Sequence, residues 1–255
     1  MQNRYFGNIG DFSKYGLLRK TASYAEKIGV LWCLAEDENH NNNGKHLGYL
    51  KKDLREIYRS CDPKLFDSLK AHLIGNDGEI IQANRNVSSF KNLQLLPEST
   101  VYFEDIIKVT THPNQREEER DRWFDRALQV FKDCDLVFCD PDNGIEVSSA
   151  GKRTQKHFKY IYWDELERLW NNGKSLIIYQ HMHMGKPHIT QLKERKLNIM
   201  NILGTDMVLS LRCFRGTVRT YFLVPQSAHR QHFAEIVNHM TSGSWHQHIK
   251  LWNQM

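Results

Sequence analysis

Two short segments concentrate the side chains that can do chemistry. Asp140-Pro141-Asp142-Asn143-Gly144 follows directly on the apolar run Asp135-Leu136-Val137-Phe138-Cys139. Ligands of open α/β sheets bind beyond the carboxyl ends of the strands, so two acids and an amide at such a tip can position a substrate or hold a cation. Asp, Pro, Asn and Gly also build plain strand-ending turns. A bare turn calls for no pair of acids, which favours the functional reading. Gln180-His181-Met182-His183 closes the next apolar run, Ser175 to Tyr179, and His188 follows soon after. If that strand continues, its period of two puts His181 and His183 on one face, as half of a metal site. The other reading makes them polar residues of a loop mouth.

Two further segments are weaker. Ala35-Glu36-Asp37-Glu38-Asn39-His40 closes an earlier apolar run, either as a solvated loop or as a source of carboxylates for a shared site. Gly7-Asn8-Ile9-Gly10-Asp11-Phe12-Ser13-Lys14-Tyr15 sets two glycines before a helical stretch, where exposed amides can meet an anion. By itself this reads as a loop with Asp11 as N-cap. His229, His232, His239, His246 and His248 lack acidic or Cys neighbours and read as surface or packing residues. Lys152, Arg153, Lys156 and Lys159 follow the DPDNG turn and either meet phosphates or lie in a solvated loop.

The elements that position these residues follow from the apolar pattern. Spacing predicts helices over 11–27, over two stretches of 47–74 broken at Cys61-Asp62-Pro63, and over 115–131, 164–170, 190–203 and 229–240. The REEERDR stretch within 115–131 reads as a solvated face. Strands are expected at 29–34, 79–82, 100–104, 135–139 and 175–179. The runs 207–214 and 217–224, split by Arg215-Gly216, form an antiparallel hairpin. Alternating strands and helices imply an α/β layered fold with a mainly parallel sheet and helices on both faces. The whole is one domain, 1–255, with a helical insertion at 47–75.

Composition narrows the classes. The 255 residues are 40% hydrophobic and 25% charged, with 15 Gly and 6 Pro, which excludes collagen-like, coiled-coil and wholly disordered chains. No apolar run is long enough to span a bilayer, and the first residues have no apolar signal core, so a cytoplasmic protein without membrane contact is expected. A net charge of +5 permits nucleic-acid binding without requiring it. Five scattered cysteines with no CxxC pair argue against a disulfide framework or zinc knuckle.

In combination these residues resemble the J-type large-subunit ribosomal RNA adenine-N6 methyltransferases. That family opens with Gly-Asn-x-x-Asp-x-x-Lys-His; Gly7, Asn8, Asp11 and Lys14 match it in spacing, and Tyr15 stands at the His. Its catalytic Asp-Pro-Pro-Tyr-Glu follows a strand, as Asp140-Pro141-Asp142-Asn143 does here. Its Tyr-x-x-Leu helix and following apolar strand are similar to Trp163 to Tyr179, and Leu223-Val224-Pro225 stands where it has Asn-Pro-Pro-Trp. The resemblance covers most of the chain in order through few matching residues. It implies a Rossmann-like class I methyltransferase sheet with a C-terminal antiparallel hairpin, S-adenosylmethionine as cofactor, and RNA or DNA as partner. Lys14 and Tyr15 would line the cofactor pocket, Glu104 and Asp105 would contact its adenine, and Asp140 would accept a hydrogen bond from the amine of a flipped base.

The same topology supports a rival. In such a sheet the strand tips bearing Glu36 to Glu38, Asp140, Asp142, His181 and His183 converge. Carboxylates with imidazoles suit Mn²⁺, Mg²⁺ or Zn²⁺ and a nuclease or phosphoesterase reaction. A third class is a non-catalytic nucleic-acid or partner-binding protein that kept the fold.

Overall fold

The computed structural model describes residues 1–37, 46–51, 54–110 and 112–252. In chain order it contains α1 (Ile9–Ala22), β1 (Ile28–Trp32), α2 (Arg55–Arg59), α3 (Pro63–Leu73), α4 (Ser89–Asn92) and β2 (Val101–Phe103). Then come α5 (Pro113–Val130), β3 (Leu136–Asp140), β4 (Gly144–Ile145), β5 (Tyr160–Ile161), α6 (Trp163–Asn171) and β6 (Ser175–His181). The chain finishes with α7 (His188–Leu203), β7 (Leu209–Cys213), β8 (Arg219–Val224), α8 (Arg230–Thr241) and β9 (Ile249–Leu251).

Seven strands form one sheet in the order β2-β1-β3-β6-β8-β7-β9, while β4 and β5 make a separate parallel pair. The strands β2, β1, β3 and β6 are parallel, and β8 runs antiparallel between β6 and β7. This is the expected Rossmann-like, mainly parallel sheet with its terminal antiparallel hairpin. The period of two sorts each central strand between two cores. Leu136, Phe138, Ile177, Tyr179, Tyr221 and Leu223 pack with α1, α3 and α8. Val137, Cys139, Leu176, Ile178, Phe222 and Val224 pack with α5, α6 and α7. Helices on both faces explain why these strands read as continuous apolar runs.

Four expectations need correction. The strand at 79–82 is absent: Ile80 makes only an isolated bridge to Ile74, and Gln82–Asn84 is a 3-10 turn. Its neighbours Glu79 and Ile81 are exposed, so the segment has too little apolar surface to enter a sheet covered on both faces. The N-cap of α1 is Asn8, whose side chain accepts from Gly10 and Asp11 N–H, which releases Asp11 for another task. The REEERDR face is not wholly solvated, because Arg116 and Arg120 are buried. The insertion at 47–75 holds a 3-10 turn, Gly48–Leu50, before the short α2 and α3, with Asp62 capping α3 at Pro63 as its break signal implies. The C-terminal strand β9, which pairs with β7, was not anticipated.

Arg120 explains how the second core supports the region behind the DPDNG turn. Its guanidinium grips Glu165 with Nε–Oε1 at 2.6 Å and Nη2–Oε2 at 2.8 Å, and both side chains are fully buried. Nη2 also donates to Tyr160 O, while Glu165 Oε2 accepts the Tyr162 N–H that opens α6. The ion pair therefore holds β5, and through it β4, against α5. Removing one partner leaves a buried charge unpaired, so Glu165→Gln is expected to cost about 3–5 kcal/mol in urea unfolding. A loss below about 1 kcal/mol, the level of exposed pairs, would contradict this role.

Candidate functional site

Three strand tips, β1, β3 and β6, end on the same side of the sheet, and Trp32 and Asp140 are partners in register. Over them lies the first half of α1. Lys14 reaches down so that its Nζ stands 2.8 Å from Asp140 Oδ2 and 2.9 Å from Asp11 Oδ1. It also lies over the rings of Trp32 and Tyr179, at 5.9 and 5.6 Å, and 3.6 Å from Met1 Sδ. All three ionic groups are buried. Burial alone would expel the ammonium proton, but the two carboxylates outweigh it and hold Lys14 protonated. Burial pushes the Asp140 carboxyl above the ordinary range against the pull of Lys14. Asp11 Oδ2 meanwhile accepts from Gly7 N–H and Tyr15 O–H, tying the 7–15 segment to the same cluster.

The DPDNG turn is clamped from the neighbouring strand. Gln180 Oε1 accepts from Ile145 N–H, and its Nε2 donates to Asn143 O and His181 O. His181 N–H donates to the same Asn143 O. Gly144 has φ +116°, and a Cβ there would overlap the Gln180 amide, so the turn requires glycine.

These parts border a cleft of about 420 Å³, lined by Asn8, Gly10, Asp11, Lys14, Asp140, Pro141, Asp142, Asn143, Lys159, Tyr179, His181 and Arg219 among others. A second cleft of about 510 Å³ shares Asn143 and His181 as its wall and runs on past Glu146, His183, Gln191 and Arg195. Two grooves meeting at one amide and one imidazole suit an extended ligand. Asp142, mostly buried, lies 3.9 Å from Lys159 Nζ. Tyr179 is neutral, its phenol pushed up to about 12 by burial.

The predicted residues divide clearly. Lys14, Asp140, Pro141, Asp142, Asn143 and His181 meet in the first cleft. Tyr15 is fully buried beneath it, stacked on Phe90. Glu104 and Asp105 follow β2 outside the cleft: Glu104 accepts from Ser88 Oγ, and Asp105 pairs with Arg126 at the surface. His183 does not join His181, because β6 ends at His181 and the His183 ring turns to accept Gly185 N–H. Glu36 and Asp37 are exposed, Asp37 accepting Arg4 N–H, while Glu38, Asn39 and His40 lie outside the described residues. Among the described residues no three His, Cys, Asp or Glu side chains are grouped to hold a metal ion. The convergence that the metal reading needs is thus only partly made.

The basic loop after the turn is engaged internally. Lys152 bridges Asp121 and Asp164, and Arg153 pairs with Glu117. His229 bonds Ser175 and Asp135, and His248 is buried against Tyr58, so both serve packing. Sequence reasoning missed Asp11 as an ion-pair partner, Gln180 as clamp, and Tyr179 and Arg219 as cleft walls. Only Arg219 carried a signal, as a lone cation in an apolar β run.

The tip of β1 is covered rather than open. Ala35 N–H donates to Met1 O, Ile107 N–H donates to Leu34 O, and all four residues are buried. No protein-family model, no curated protein and no solved structure matches this chain.

Two outcomes follow. Lys14→Met would leave two carboxylates buried without their cation, so unfolding in urea should show a loss of about 3–5 kcal/mol; an unchanged midpoint would contradict the buried cluster. Burial lowers His157, His181, His239 and His248 below the ordinary 6.5. The unfolded chain then binds more protons than the folded one below that value, so stability present above pH 6.5 is lost as pH falls through the lowered values. Asp140 and Glu146, raised by burial, act in the opposite sense, four imidazoles against two carboxyls. Thermal melts should show a lower Tm at pH 5.5 than at 7.5; a flat or rising Tm would contradict the assignment.

Proposed function

We propose that the first cleft is the active site of an S-adenosylmethionine-dependent methyltransferase acting on an amino group of a nucleic-acid base. The observation that carries this reading is the Lys14–Asp140 contact. It joins the two segments that resemble the methyltransferase family, 126 residues apart in sequence, at one strand tip of a methyltransferase-type sheet.

The residues present fit the donor. Its sulfonium and ammonium are cationic, and the cleft offers the Asp142 carboxylate on a wall that it shares with Tyr179. Glu104 follows β2, the strand next to β1, where sheets of this type place an acid for ribose hydroxyls, and lies outside the first cleft. Its Oε1 is buried with no hydrogen-bond partner, an acceptor available to a hydroxyl. Met1 and Ile107 cover the tip of β1, so a donor reaching from the cleft towards Glu104 would have to displace them. When bound, the donor supplies an electrophilic methyl group.

The chain's own residues then orient the acceptor. Lys14 fixes one oxygen of Asp140, so the carboxyl keeps one orientation at the turn. Its other oxygen and the Asn143 amide supply hydrogen-bond groups that align a base amine without a general base of high pKa. Positioning is the main contribution, and the clamped turn provides it before the substrate arrives. The second cleft takes the neighbouring nucleotides.

Transfer of labelled methyl from S-adenosylmethionine to single-stranded RNA and DNA tests this reading. Asp142→Ala should lower the rate at least about tenfold, the scale of a hydrogen bond to a charged group. EDTA should have no effect. No transfer to either polymer would overturn the reading. Activity lost in EDTA and restored by Mn²⁺ or Zn²⁺ would transfer the site to metal chemistry.

A further inference from the structure

Arg219 has no assigned task in the reading above, yet its surroundings are built for one. It begins β8, opposite His181 in register, and is only 7% exposed. One guanidinium nitrogen, Nη2, donates to Thr217 Oγ1 at 2.8 Å. Nε is buried with no hydrogen-bond partner. Among the described residues no carboxylate pairs with Arg219; Asp11, whose charge acts on it, is already committed to Lys14, Gly7 N–H and Tyr15 O–H. A guanidinium cannot shed its charge, so this is a buried cation holding donors in reserve.

The backbone has made room for it. The guanidinium lies against Gly10 in the first turn of α1, and a Cβ at position 10 would overlap Nη1. Glycine is what lets the fork reach the cleft. The first-turn amides are already taken by the Asn8 cap, so α1 adds only its dipole to an anion there. Lys159 and His181 border the same cleft, and the proximity of Arg219 adds to burial in keeping His181 neutral, as a donor or an acceptor.

We propose that Arg219 is the phosphate-binding residue of this cleft, taking a backbone phosphodiester of the nucleic-acid strand. A planar fork of donors, with Nη2 on Thr217 and no partner at Nε, suits a phosphodiester's oxygens, which a lysine would meet only as a point charge. The proposal rests on the reading of the cleft as the nucleic-acid site and names the group that anchors the strand. The phosphate sits on the β8 side, and the base reaches the turn at Asp140 to Asn143.

The test uses the full chain and two short probes, the trinucleotide ApApA and its analogue with neutral methylphosphonate linkages, compared by calorimetry at one salt concentration. The charged probe should bind at least about tenfold more tightly, as charge-assisted hydrogen bonds imply. This comparison needs no variant and so survives any folding defect. In Arg219→Gln, checked by thermal melting, the preference should vanish; Arg219→Lys should restore part of it.

Equal binding of the two probes, or binding of neither, would overturn the proposal. So would a preference that survives in Arg219→Gln, which would place the phosphate elsewhere. If AMP is preferred to adenosine while the trinucleotides are not distinguished, the anion belongs to a free nucleotide and the strand assignment fails. If Arg219→Gln weakens S-adenosylmethionine and leaves the trinucleotide preference intact, Arg219 holds the donor's carboxylate instead. A phosphate preference without methyl transfer to any polymer would sustain Arg219 and remove the methyltransferase reading.

Discussion

One buried ammonium organises the functional end of this molecule. Lys14 is held between Asp11 on its own helix and Asp140 at the tip of β3, with the rings of Trp32 and Tyr179 beside it. Burying three charges is costly, and the mutual attraction offsets that cost only because the geometry is close and the remaining acceptors are engaged. The cluster fixes α1 over the sheet, sets the orientation of the Asp140 carboxyl and leaves the rest of the turn free to line a cleft. An apolar contact could join the helix to the sheet as well, but it would not hold a carboxyl in one orientation.

The other polar contacts in the interior serve the same end from different sides. Gln180 clamps the turn through its side-chain amide, and Arg120 with Glu165 secures the pair β4 and β5 behind it. Each satisfies main-chain groups that have no place in the large sheet. The result is an irregular loop held at fixed points, as a site that works by positioning requires. Arg219 differs in kind, because it lines the cleft while its buried Nε has no hydrogen-bond partner.

Much of the fold was legible because it depends on local pattern. The apolar runs at 135–139 and 175–179, the hairpin split at Arg215-Gly216 and the Asp62-Pro63 helix start all carry their signal within a few residues. The segment 79–82 misled because two adjacent isoleucines imitate a strand, though the flanking Asp77-Gly78 turn leaves it on the surface. The site was legible in its parts, with Lys14, Asp140, Asp142, Asn143 and His181 all present in one cleft. Its connections were not. Lys14 meets Asp140 across 126 residues, and Arg120 meets Glu165 across 45, and no spacing rule reports such pairs. His183 was misplaced by extending a period of two beyond the point where β6 stops.

The central claim is that this cleft, built around Lys14 and Asp140, receives a methyl donor. Calorimetric titration of S-adenosylmethionine into the EDTA-treated full chain tests it most directly. The account predicts binding in the micromolar range, about −8 kcal/mol, weakened by Asp142→Asn because the donor's cationic end loses its carboxylate. Absence of heat at millimolar donor, or binding that ignores Asp142→Asn, would contradict the account and leave the cluster as scaffolding for a different ligand.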